Sequence, residues 1–357
     1  MSLELVRAKE ELPEHDINEK YDIEYLLGRG VYGSVYHVLC KRTRQTLALK
    51  AINKSEVTFN NFKRELNYSY FLAAHPTIVT TYNVAFQTCS RWVFVQEIGP
   101  LGALSKTVTE GTGIGLEPTK IVIKQIADAL QFMHSNKLSH GDIKPDNVLL
   151  FNRLTWTVKL TDFGLTCKFN TQVRKFSSNN VFTPPEVCKL IRNECYEVSD
   201  SGDVWQVGIT MYHLLTGSLP WTEADSNSDL SYNAFLKWRQ YTRSQLPNCW
   251  QQFNNKLLKL FTKLLNPIKK DRCGINDIYK YLKADWSMKA EKHEDVTACD
   301  HESWITVTTD SDDGQRAEAK ATLQNFLSQY GVKTKISRTY KKRRVEAWLD
   351  DLRRGSV

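Results

Sequence analysis

The sequence predicts an α+β fold of two lobes, in which a small β-rich lobe with one helix precedes a larger helical lobe. In residues 21–98, short runs of β-branched and aromatic residues alternate with turn residues, and a single stretch has helical spacing. After Pro100, apolar residues at helical spacing dominate as far as Leu282. We therefore expect one domain at residues 21–286, with its second lobe at residues 101–286.

The small lobe is predicted to contain several strands and one helix. The strands are β-branched and aromatic runs bounded by turns that contain Gly, Lys or Arg. In the helix, Phe62, Leu66 and Tyr70 recur at helical spacing on one face. The predicted strands are residues 21–27, 35–39, 46–52, 78–86 and 92–98, and the predicted helix is residues 59–73.

The large lobe is predicted to begin with an amphipathic helix over residues 118–134. Its apolar face would carry Ile121, Ile126, Leu130 and Met133. A short apolar strand is expected at residues 148–151. Helical patterns then dominate the rest of the domain.

Polar segments flank the predicted domain. Residues 1–20 are charged, which predicts a leader or flexible strap and no secretory signal. Residues 287–357 predict a polar tail, with an acidic stretch at 291–313, a candidate helix at 315–330 and a basic run at 341–344. We expect the tail helix to dock on the domain or on a partner, and the basic run suits a charged surface, nuclear entry or acidic lipids.

Composition excludes several classes of protein. The chain has 357 residues, of which 41% are hydrophobic, so a sizeable core is expected. No stretch approaches the ~20 apolar residues that cross a bilayer. The net charge of +8 is dispersed along the chain, so we expect no nucleic-acid partner. The eight cysteines form no C-x-x-C pair, which indicates reduced thiols in a cytoplasmic protein rather than disulfides or a zinc site.

A glycine-rich loop at residues 28–35 has the pattern G-x-G-x-x-G-x-V. Glycines let a backbone approach phosphate oxygens where a Cβ atom would collide. The pattern alone also matches a dinucleotide-binding fold or a plain hairpin turn. In a dinucleotide fold the glycines open a helix, whereas Val35, Tyr36 and Val38 indicate strand, turn and strand here. This context favours a phosphate-binding loop.

Lys50 ends the apolar run L-A-L-K at residues 47–50. A lysine is rarely buried without a partner, because desolvating its ammonium group is costly. A snorkelling lysine on an edge strand is the plain structural interpretation. The functional interpretation gives Lys50 two anionic neighbours, the phosphates of a nucleotide and Glu65 on the predicted helix.

Two polar loops supply the groups that phosphoryl transfer requires. The first is H-G-D-I-K-P-D-N at residues 140–147, and the second is T-D-F-G at residues 161–164. Asp142 is suited to orient a hydroxyl and accept its proton, and Lys144 to neutralise charge on the moving phosphoryl group. The side chains of Asn147 and Asp162 offer oxygen ligands to Mg²⁺. The structural alternative is two unrelated polar turns that cap short strands.

These elements, in this order, resemble the protein kinase superfamily over residues 21–286. The phrases A-I-N-K-S at 51–55, D-N-V-L-L-F at 146–151 and P-E-V-C at 185–188 are similar to the SH3-binding-kinase group. The resemblance implies a bilobal serine/threonine protein kinase that transfers the γ-phosphate of ATP, with Mg²⁺, to hydroxyl groups of a protein substrate. No P-x-x-P occurs among the ten prolines, so an SH3 partner is not carried over.

The resemblance assigns a role to each residue of these loops. The implied catalytic residues are Asp142, Lys144, Lys50 and Glu65, and the implied metal ligands are Asn147 and Asp162. The implied nucleotide-binding residues are Leu27, Gly28, Arg29, Gly30, Val31, Tyr32, Gly33, Ser34, Val35, Ala48, Lys50, Glu97, Gly99 and Leu149. Among them, Val35, Ala48 and Leu149 would sandwich the adenine ring, while the backbone of the hinge at residues 97–99 would hydrogen-bond it.

Supporting positions are implied farther from the chemistry. Gln96 would be the gatekeeper residue beside the adenine ring. Glu186 would form a buried ion pair with Arg272, and such a pair is costly to break from one side. Asp203 would support the catalytic loop from a central helix. Lys144 favours serine or threonine over tyrosine as the acceptor.

Four positions depart from the family's pattern. Gly141 replaces an arginine, so a phosphate on the activation segment would lose its usual partner. Asn179 stands where a threonine generally contacts the catalytic acid and lysine, and Pro184 stands where alanine is usual. Ala103 lacks the acid that often holds the ribose, which predicts weaker nucleotide affinity.

Two other functions remain open at this point. The four departures suit a pseudokinase that serves as a nucleotide-binding or allosteric platform, whereas the joint presence of the predicted catalytic and metal-binding residues favours catalysis. The H-G-D pattern followed by Asn147 is also similar to small-molecule phosphotransferases that act on choline or aminoglycosides. Those enzymes lack the D-F-G motif with its following P-P-E segment.

Overall fold

The first lobe is built on a five-stranded antiparallel sheet in the computed structural model, which describes residues 12–175, 178–240 and 245–286. Its elements in chain order are α1 (Ile17–Lys20), β1 (Tyr21–Arg29), β2 (Gly33–Cys40), β3 (Thr46–Asn53), α2 (Phe59–Leu72), β4 (Thr81–Gln87) and β5 (Arg91–Gln96). The strands lie in the order β1-β2-β3-β5-β4. Thr58 caps α2 by accepting a hydrogen bond from the Asn61 backbone N–H. Within residues 21–98 this lobe has the predicted composition of strands and one helix, and the short α1 precedes them.

One predicted strand begins later than expected. The prediction placed a strand at residues 78–86, but β4 starts at Thr81. Ile78 and Val79 are buried, and their segment pairs with the second lobe, because the Val79 backbone N–H donates to Leu160 O at 3.0 Å. Burial explains the apolar character that the prediction attributed to the strand.

Residues 12–20 pack on the sheet, which differs from the predicted flexible strap. Leu12 and Ile17 are each only 8% exposed. Glu14 forms a parallel bridge with Gln87 of β4, and the helix α1 leads directly into β1. This segment carries few apolar residues in the sequence, so its attachment gave no periodic signal.

The second lobe contains seven α-helices and three two-stranded pairs among the described residues. Its helices are α3 (Leu116–Ser135), α4 (Pro185–Cys188), α5 (Asp200–Thr216), α6 (Leu230–Gln240), α7 (Asn248–Gln251), α8 (Asn255–Leu264) and α9 (Asp277–Leu282), the short α4 being a single turn. Its strands are β6 (Leu138–Ser139), β7 (Val148–Asn152), β8 (Thr157–Leu160), β9 (Cys167–Lys168), β10 (Gln172–Arg174) and β11 (Cys195–Glu197). The pairs are β6 with β9, β7 with β8 and β10 with β11.

The core of this lobe surrounds α5, whose side chains are buried along nearly its whole length. Gly208 of α5 lies so close to α8 that an added Cβ atom would come within 2.7 Å of the Leu265 side chain. Aromatic rings fill the space beside the helix, with Tyr212 and Trp250 at a centroid distance of 4.8 Å. The central helix is therefore a rigid support for the loops that contact it.

The helix α3 confirms the predicted helix but buries a different face at its start. Ile121, predicted on the apolar face, is 41% exposed, whereas Val122 and Ile123 are fully buried. The reason is register, because Val122 and Ile123 lie four and three residues before Ile126, on the same side of the helix.

Trp286 is the last described residue and belongs to the core. Its side chain is 1% exposed, and Nε1 donates to Tyr281 O at 2.8 Å. The predicted tail helix at 315–330 and the basic run at 341–344 lie outside the described residues. Within the described part of the chain, no helix has both the length and the apolar character that spanning a membrane requires.

Candidate active site

The glycine-rich loop is the turn between β1 and β2, as the strand–turn–strand prediction requires. The Gly30 backbone N–H donates to Gly33 O at 2.9 Å and closes the turn. A Cβ atom added at Gly33 would lie 2.2 Å from Ala51 O, so only glycine fits against β3. At Gly28 and Gly30 an added Cβ atom would meet no heavy atom within 4 Å. These two glycines therefore border open space that a ligand can occupy.

The other side chains of the glycine-rich loop differ in how far they are exposed. Val31 and Tyr32 at its tip are 79% and 60% exposed. Ser34 is buried, and Leu27, Arg29 and Val35 flank the turn on β1 and β2. Val35 pairs with Lys50 across β2 and β3, which brings the loop and the lysine to the same end of the sheet.

Lys50 bridges two carboxylates from different elements. Its Nζ lies 2.6 Å from Glu65 Oε1 on α2 and 2.9 Å from Asp162 Oδ1 in the D-F-G loop. The lysine and Glu65 side chains are 18% and 10% exposed, whereas that of Asp162 is 45% exposed. The snorkelling interpretation of Lys50 is therefore wrong. Lys50 instead ties the sheet, α2 and the D-F-G loop together.

The charges of this cluster fix its protonation. Burial alone would lower the pKa of the Lys50 ammonium, but the Glu65 and Asp162 carboxylates outweigh it and raise that pKa above its ordinary value. Burial also opposes ionisation of Asp162, yet the adjacent Lys50 ammonium holds the pKa of this carboxyl below its usual range. Asp162 is therefore an anion at neutral pH, with one face open to solvent.

Asp142 is held by two neighbours in its own loop. Lys144 Nζ donates to Asp142 Oδ2 at 2.8 Å, and Asn147 Nδ2 donates to the same oxygen at 2.7 Å. Asn147 Nδ2 also donates to Asp142 O at 2.8 Å. Both hydrogens of the Asn147 amide are thus used, which leaves its Oδ1 atom as the one suited to coordinate a cation.

The two polar loops are joined by backbone and ring hydrogen bonds. The Thr161 backbone N–H donates to Asn147 O at 2.9 Å. His140 accepts from the Asp142 backbone N–H at Nδ1 (3.2 Å) and lies 3.1 Å from Thr161 O through Nε2. Burial lowers the pKa of His140, so the ring is neutral and its Nε2–H donates to Thr161 O. The alternative of two unrelated turns is therefore wrong.

Asp203 of α5 supports the loop from below. Its carboxylate accepts from the backbone N–H groups of His140 (3.0 Å) and Gly141 (2.8 Å). Ser139 Oγ donates to it at 3.0 Å, and His134 Nε2 lies 2.8 Å away. Burial opposes its ionisation, but the hydrogen bond with His134 and the amide donors outweigh burial and lower the pKa of Asp203. A buried anion thus fixes the backbone that precedes Asp142.

The predicted hinge is held in place by the backbone and the side chain of Glu97. The Glu97 backbone N–H donates to Thr80 O, and the Glu97 side chain accepts from Thr80 N and Lys159 Nζ, each at 2.6 Å. A Cβ atom at Gly99 would lie 2.9 Å from Leu149 Cβ, so the hinge and the predicted floor residue are in close contact.

Two further predicted residues lie beside the hinge. Ala48 of β3 pairs with Gln96 of β5. Gln96 is 7% exposed, and its Nε2 donates to Thr81 Oγ1 at 3.0 Å. Ala103, which lacks the expected acid, bridges to Leu149. The structure thus places Ala48 beside Gln96 in the sheet, and Leu149 against Gly99 and Ala103.

Comparison with known proteins decides the family. The sequence matches the protein kinase domain over residues 21–286, which is most of the chain. The chain belongs to the protein kinase family.

Named kinases from several animals are similar to this kinase. It is 33% identical to the serine/threonine-protein kinase meng-po of Drosophila melanogaster over 348 residues, which cover 95% of this chain and 76% of the relative. It is 36% identical to the mouse serine/threonine-protein kinase SBK1 over 268 residues, which cover 75% of this chain and 64% of the relative. The human serine/threonine-protein kinase SBK2 is 28% identical, with coverage of 81% and 83%. These relatives confirm the similarity to the SH3-binding-kinase group.

The activation segment of this kinase is anchored near the end that carries the P-P-E motif. Glu186 and Arg272 form two parallel hydrogen bonds of 3.0 and 2.8 Å, and the Arg272 side chain is fully buried. Asn179 Nδ2 donates to Glu223 Oε2 at 2.9 Å and to Cys188 O at 3.3 Å. Asn179 therefore bonds to the Glu223 side chain and to the backbone carbonyl of Cys188, which follows the P-P-E motif at residues 184–186.

The structure also shows supporting residues that the sequence did not identify. Gln206 Oε1 accepts from the Ile143 backbone N–H at 2.8 Å, and its Nε2 donates to Gly141 O at 3.0 Å. Gln206 lies three residues after Asp203 on α5, so helical spacing from that acid is the signal for it. Arg64, adjacent to Glu65, donates to Gly164 O at 3.3 Å. No pattern in the sequence indicates this second contact.

Proposed function

We propose that this kinase transfers the γ-phosphoryl group of ATP to serine or threonine hydroxyls of proteins, with Mg²⁺ as its metal and Asp142 as the residue that receives the hydroxyl proton. The observation that carries the proposal is the closed chain of contacts from Glu65 through Lys50 and Asp162 to the catalytic loop. This arrangement brings together positive charge for phosphates and a carboxylate for the acceptor. Preorganised charge of this kind is the main source of catalysis in phosphoryl transfer.

The donor set fits Mg²⁺. Asn147 presents an amide oxygen and Asp162 an ionised carboxylate that is partly open to solvent. Hard oxygen ligands of this kind, completed by phosphate oxygens and water, are what Mg²⁺ prefers. When bound, the metal would neutralise charge that develops on the phosphates. Gly28 and Gly30 leave room for those phosphates beside β1.

The loop around Asp142 supports its role as the acceptor of a proton. Its Oδ2 atom accepts hydrogen bonds from Lys144 and Asn147, which fixes the carboxylate and leaves Oδ1 toward an incoming hydroxyl. Lys144 lies at the same oxygen, so its charge is close to where phosphoryl transfer would occur. The hydroxyl oxygen would attack the γ-phosphorus as its proton moves to Asp142, while the bond from that phosphorus to the β–γ bridging oxygen breaks and ADP leaves.

Serine or threonine specificity is supported by the relatives, which carry the name serine/threonine-protein kinase. Lys144 beside Asp142 agrees with it. Lys50, Glu65, Asp142, Asn147 and Asp162 are all in place, so a pseudokinase is not favoured. A small-molecule phosphotransferase is not favoured either, since the D-F-G loop is followed by the P-P-E segment and its Glu186–Arg272 ion pair.

A phosphotransfer assay with labelled ATP tests the proposal. It compares the wild type with Asp142→Asn and Lys50→Met, and uses Asp146→Asn as the matched control. Asp146 is an exposed carboxylate of the same loop that accepts from Ser105 Oγ. The acceptors are peptides that contain Ser, Thr or Tyr, beside choline and an aminoglycoside.

Asp142→Asn should lower kcat for Ser or Thr peptides by about 10²–10⁴-fold, the usual contribution of a general base, while Asp146→Asn stays near wild type. Lys50→Met should also abolish most transfer. Mg²⁺-dependent ATP binding by a wild type that transfers no phosphate would instead establish a pseudokinase. Transfer to choline or the aminoglycoside alone would establish the small-molecule enzyme.

The place of action and the tail are parts of the same proposal. The cysteines of the described residues are free thiols, which suits the cytoplasm. The basic run at 341–344 suits entry to the nucleus, and the segment at 315–330 suits docking to the kinase domain or a partner. Fluorescence microscopy of the tagged chain, with and without alanines at 341–344, tests the nuclear component: unchanged distribution would contradict it.

A further inference from the structure

Leu12 occupies a buried position between α2 and the sheet. It is 8% exposed and belongs to an apolar cluster with Ile52 of β3, Phe62 and Leu66 of α2, and Phe94 of β5. The cluster therefore joins the N-terminal segment, the sheet and the helix. Leu12 is the contribution of a segment that lies outside the predicted kinase domain.

Backbone hydrogen bonds hold this segment in place. Gln87 Nε2 donates to Leu12 O at 2.9 Å, and the Gln87 backbone N–H donates to Pro13 O at 2.9 Å. The His15 backbone N–H donates to Gln87 O at 3.0 Å. One residue of β4 thus bonds to Leu12 and to the backbone that follows it, so the Leu12 side chain enters the cluster from a fixed backbone.

The two α2 residues in this cluster flank the helix position that matters for phosphoryl transfer. Phe62 and Leu66 lie three residues before and one residue after Glu65, whose carboxylate pairs with Lys50 at 2.6 Å. The remaining buried apolar residue of α2, Leu72, packs in a different cluster at the far end of the helix. The position of Glu65 thus depends on the packing that Leu12 completes.

We propose that Leu12 is a positioning residue for catalysis, which holds α2 so that Glu65 meets Lys50. The inference rests on the proposed function and adds a control element to it. When Leu12 leaves the cluster, Phe62 and Leu66 lose a packing partner, and α2 can move away from β3. Any partner or modification that detaches residues 12–15 would then lower the kinase activity.

Ile17 provides a matched control within the same segment. It is also 8% exposed, but its cluster contains Tyr21, Val38, Leu47, Leu49, Ala51, Phe86, Val93 and Val95 and no residue of α2. Truncation of either residue removes comparable apolar contacts from the first lobe. Only truncation of Leu12 acts on the helix that carries Glu65.

The test uses the full chain with Leu12→Ala, Leu12→Met and Ile17→Ala. Leu12→Ala should lower kcat about tenfold, because a smaller fraction of molecules holds the Glu65–Lys50 pair. It should also speed amide hydrogen exchange within residues 59–72. Ile17→Ala should lower the Tm by a similar amount but keep kcat within about twofold of wild type and leave α2 exchange unchanged. The Leu12→Met variant should have a kcat close to that of the wild type.

Two results would overturn the inference. One is an equal fall in kcat for Leu12→Ala and Ile17→Ala, and the other is unchanged exchange in α2 when Leu12 is truncated. Should an alanine variant fail to fold, Leu12→Val paired with Ile17→Val makes the same comparison. A wild type without transfer activity would remove the proposed function instead, and the exchange measurement would still decide whether Leu12 holds α2.

Discussion

Among single residues, Gly141 has a backbone conformation that would strain any side chain, including the arginine usual in the family. Its φ is +83°, a left-handed value, and an added Cβ atom would lie 3.1 Å from Leu165 O. A side chain here is strained by both its backbone and its neighbour. The glycine permits the sharp path by which the backbone N–H of Gly141 reaches Asp203 at 2.8 Å.

Gly141→Ala should therefore lower the free energy of unfolding by about 1–3 kcal/mol, the range for a strained backbone position. Gly111→Ala is the matched control, because Gly111 has φ +77° but open space around it. Urea denaturation of both variants measures the difference. A loss for Gly111→Ala as large as that for Gly141→Ala would show that the Leu165 contact contributes nothing.

His140 should make stability depend on pH. Its ring is fully buried and neutral, and burial holds its pKa below the 6.5 of an exposed histidine, against the opposing pull of Asp203, Asp142 and Asp162. Below pH 6.5 the unfolded chain therefore takes up a proton that the folded chain refuses, so stability falls as pH drops. The maximum slope for one such group is about 1.4 kcal/mol per pH unit.

Urea denaturation at pH 7.5, 6.5 and 5.5 checks this. The free energy of unfolding of the wild type should decrease over that interval, and the His140→Gln variant should show a smaller decrease. Equal slopes for the two proteins would place the pH dependence in other groups.

Among the elements, the pair β10–β11 fixes the activation segment without a phosphate. Lys175, directly after β10, donates through Nζ to Cys188 O at 3.2 Å and Leu190 O at 2.7 Å. Its backbone N–H donates to Glu194 O at 2.9 Å, beside β11. These bonds give the carbonyl groups at the C-terminal end of α4 a cationic partner. They lie next to the part of the activation segment that is held by the hydrogen bond from Asn179 to Glu223.

Lys175→Ala should therefore raise KM for a peptide substrate or lower kcat about tenfold (about 1.4 kcal/mol), with ATP affinity unchanged. Lys175→Arg should retain part of the activity, and the exposed Lys189→Ala is the control. Steady-state kinetics with peptide and with ATP separate these effects. Because the segment is already anchored, treatment with a phosphatase should leave wild-type activity unchanged, and a large fall would contradict this account.

The sequence predicted those elements whose residue pattern and whose structure have the same physical cause. The strands of the first lobe, α2 and the contact of Lys50 with Glu65 follow from apolar spacing and from the cost of burying a charge. The attachment of Leu12 and the β10–β11 pair did not follow, because each depends on contacts between distant segments of ordinary composition. The prediction that Ile121 lies on the buried face of α3 was wrong for a related reason. Only packing decides which of the three adjacent apolar residues at 121–123 faces the core.

At the scale of the whole molecule, the two lobes are joined where the chemistry lies. Lys50 on the sheet bonds to Asp162, and the Val79 segment bonds to Leu160 of β8. Cleft geometry therefore depends on the packing of both lobes. The general plan was predictable from the ordered motifs, whereas the route of the chain before Tyr21 required the structure.

The kinase domain ends in the core of its second lobe. Trp286 lies in the core of the second lobe, with Lys120 Nζ 5.7 Å from its ring centroid and its Nε1 bonded to Tyr281 O. A chain that ends at Trp286 should therefore still fold, because this core residue is retained, whereas loss of a tail segment that docks on this domain should lower its Tm or kcat. The Trp286→Ala variant of that shortened chain should lose about 3–5 kcal/mol of unfolding free energy, the usual cost of truncating a buried tryptophan. Thermal and urea denaturation measure the Tm and the free energy of unfolding, and a phosphotransfer assay in parallel measures kcat. If removal of residues 287–357 lowers Tm or kcat while Trp286 is intact, the tail contributes to the folded kinase and the docking of residues 315–330 gains support; if neither changes, docking on this domain is excluded.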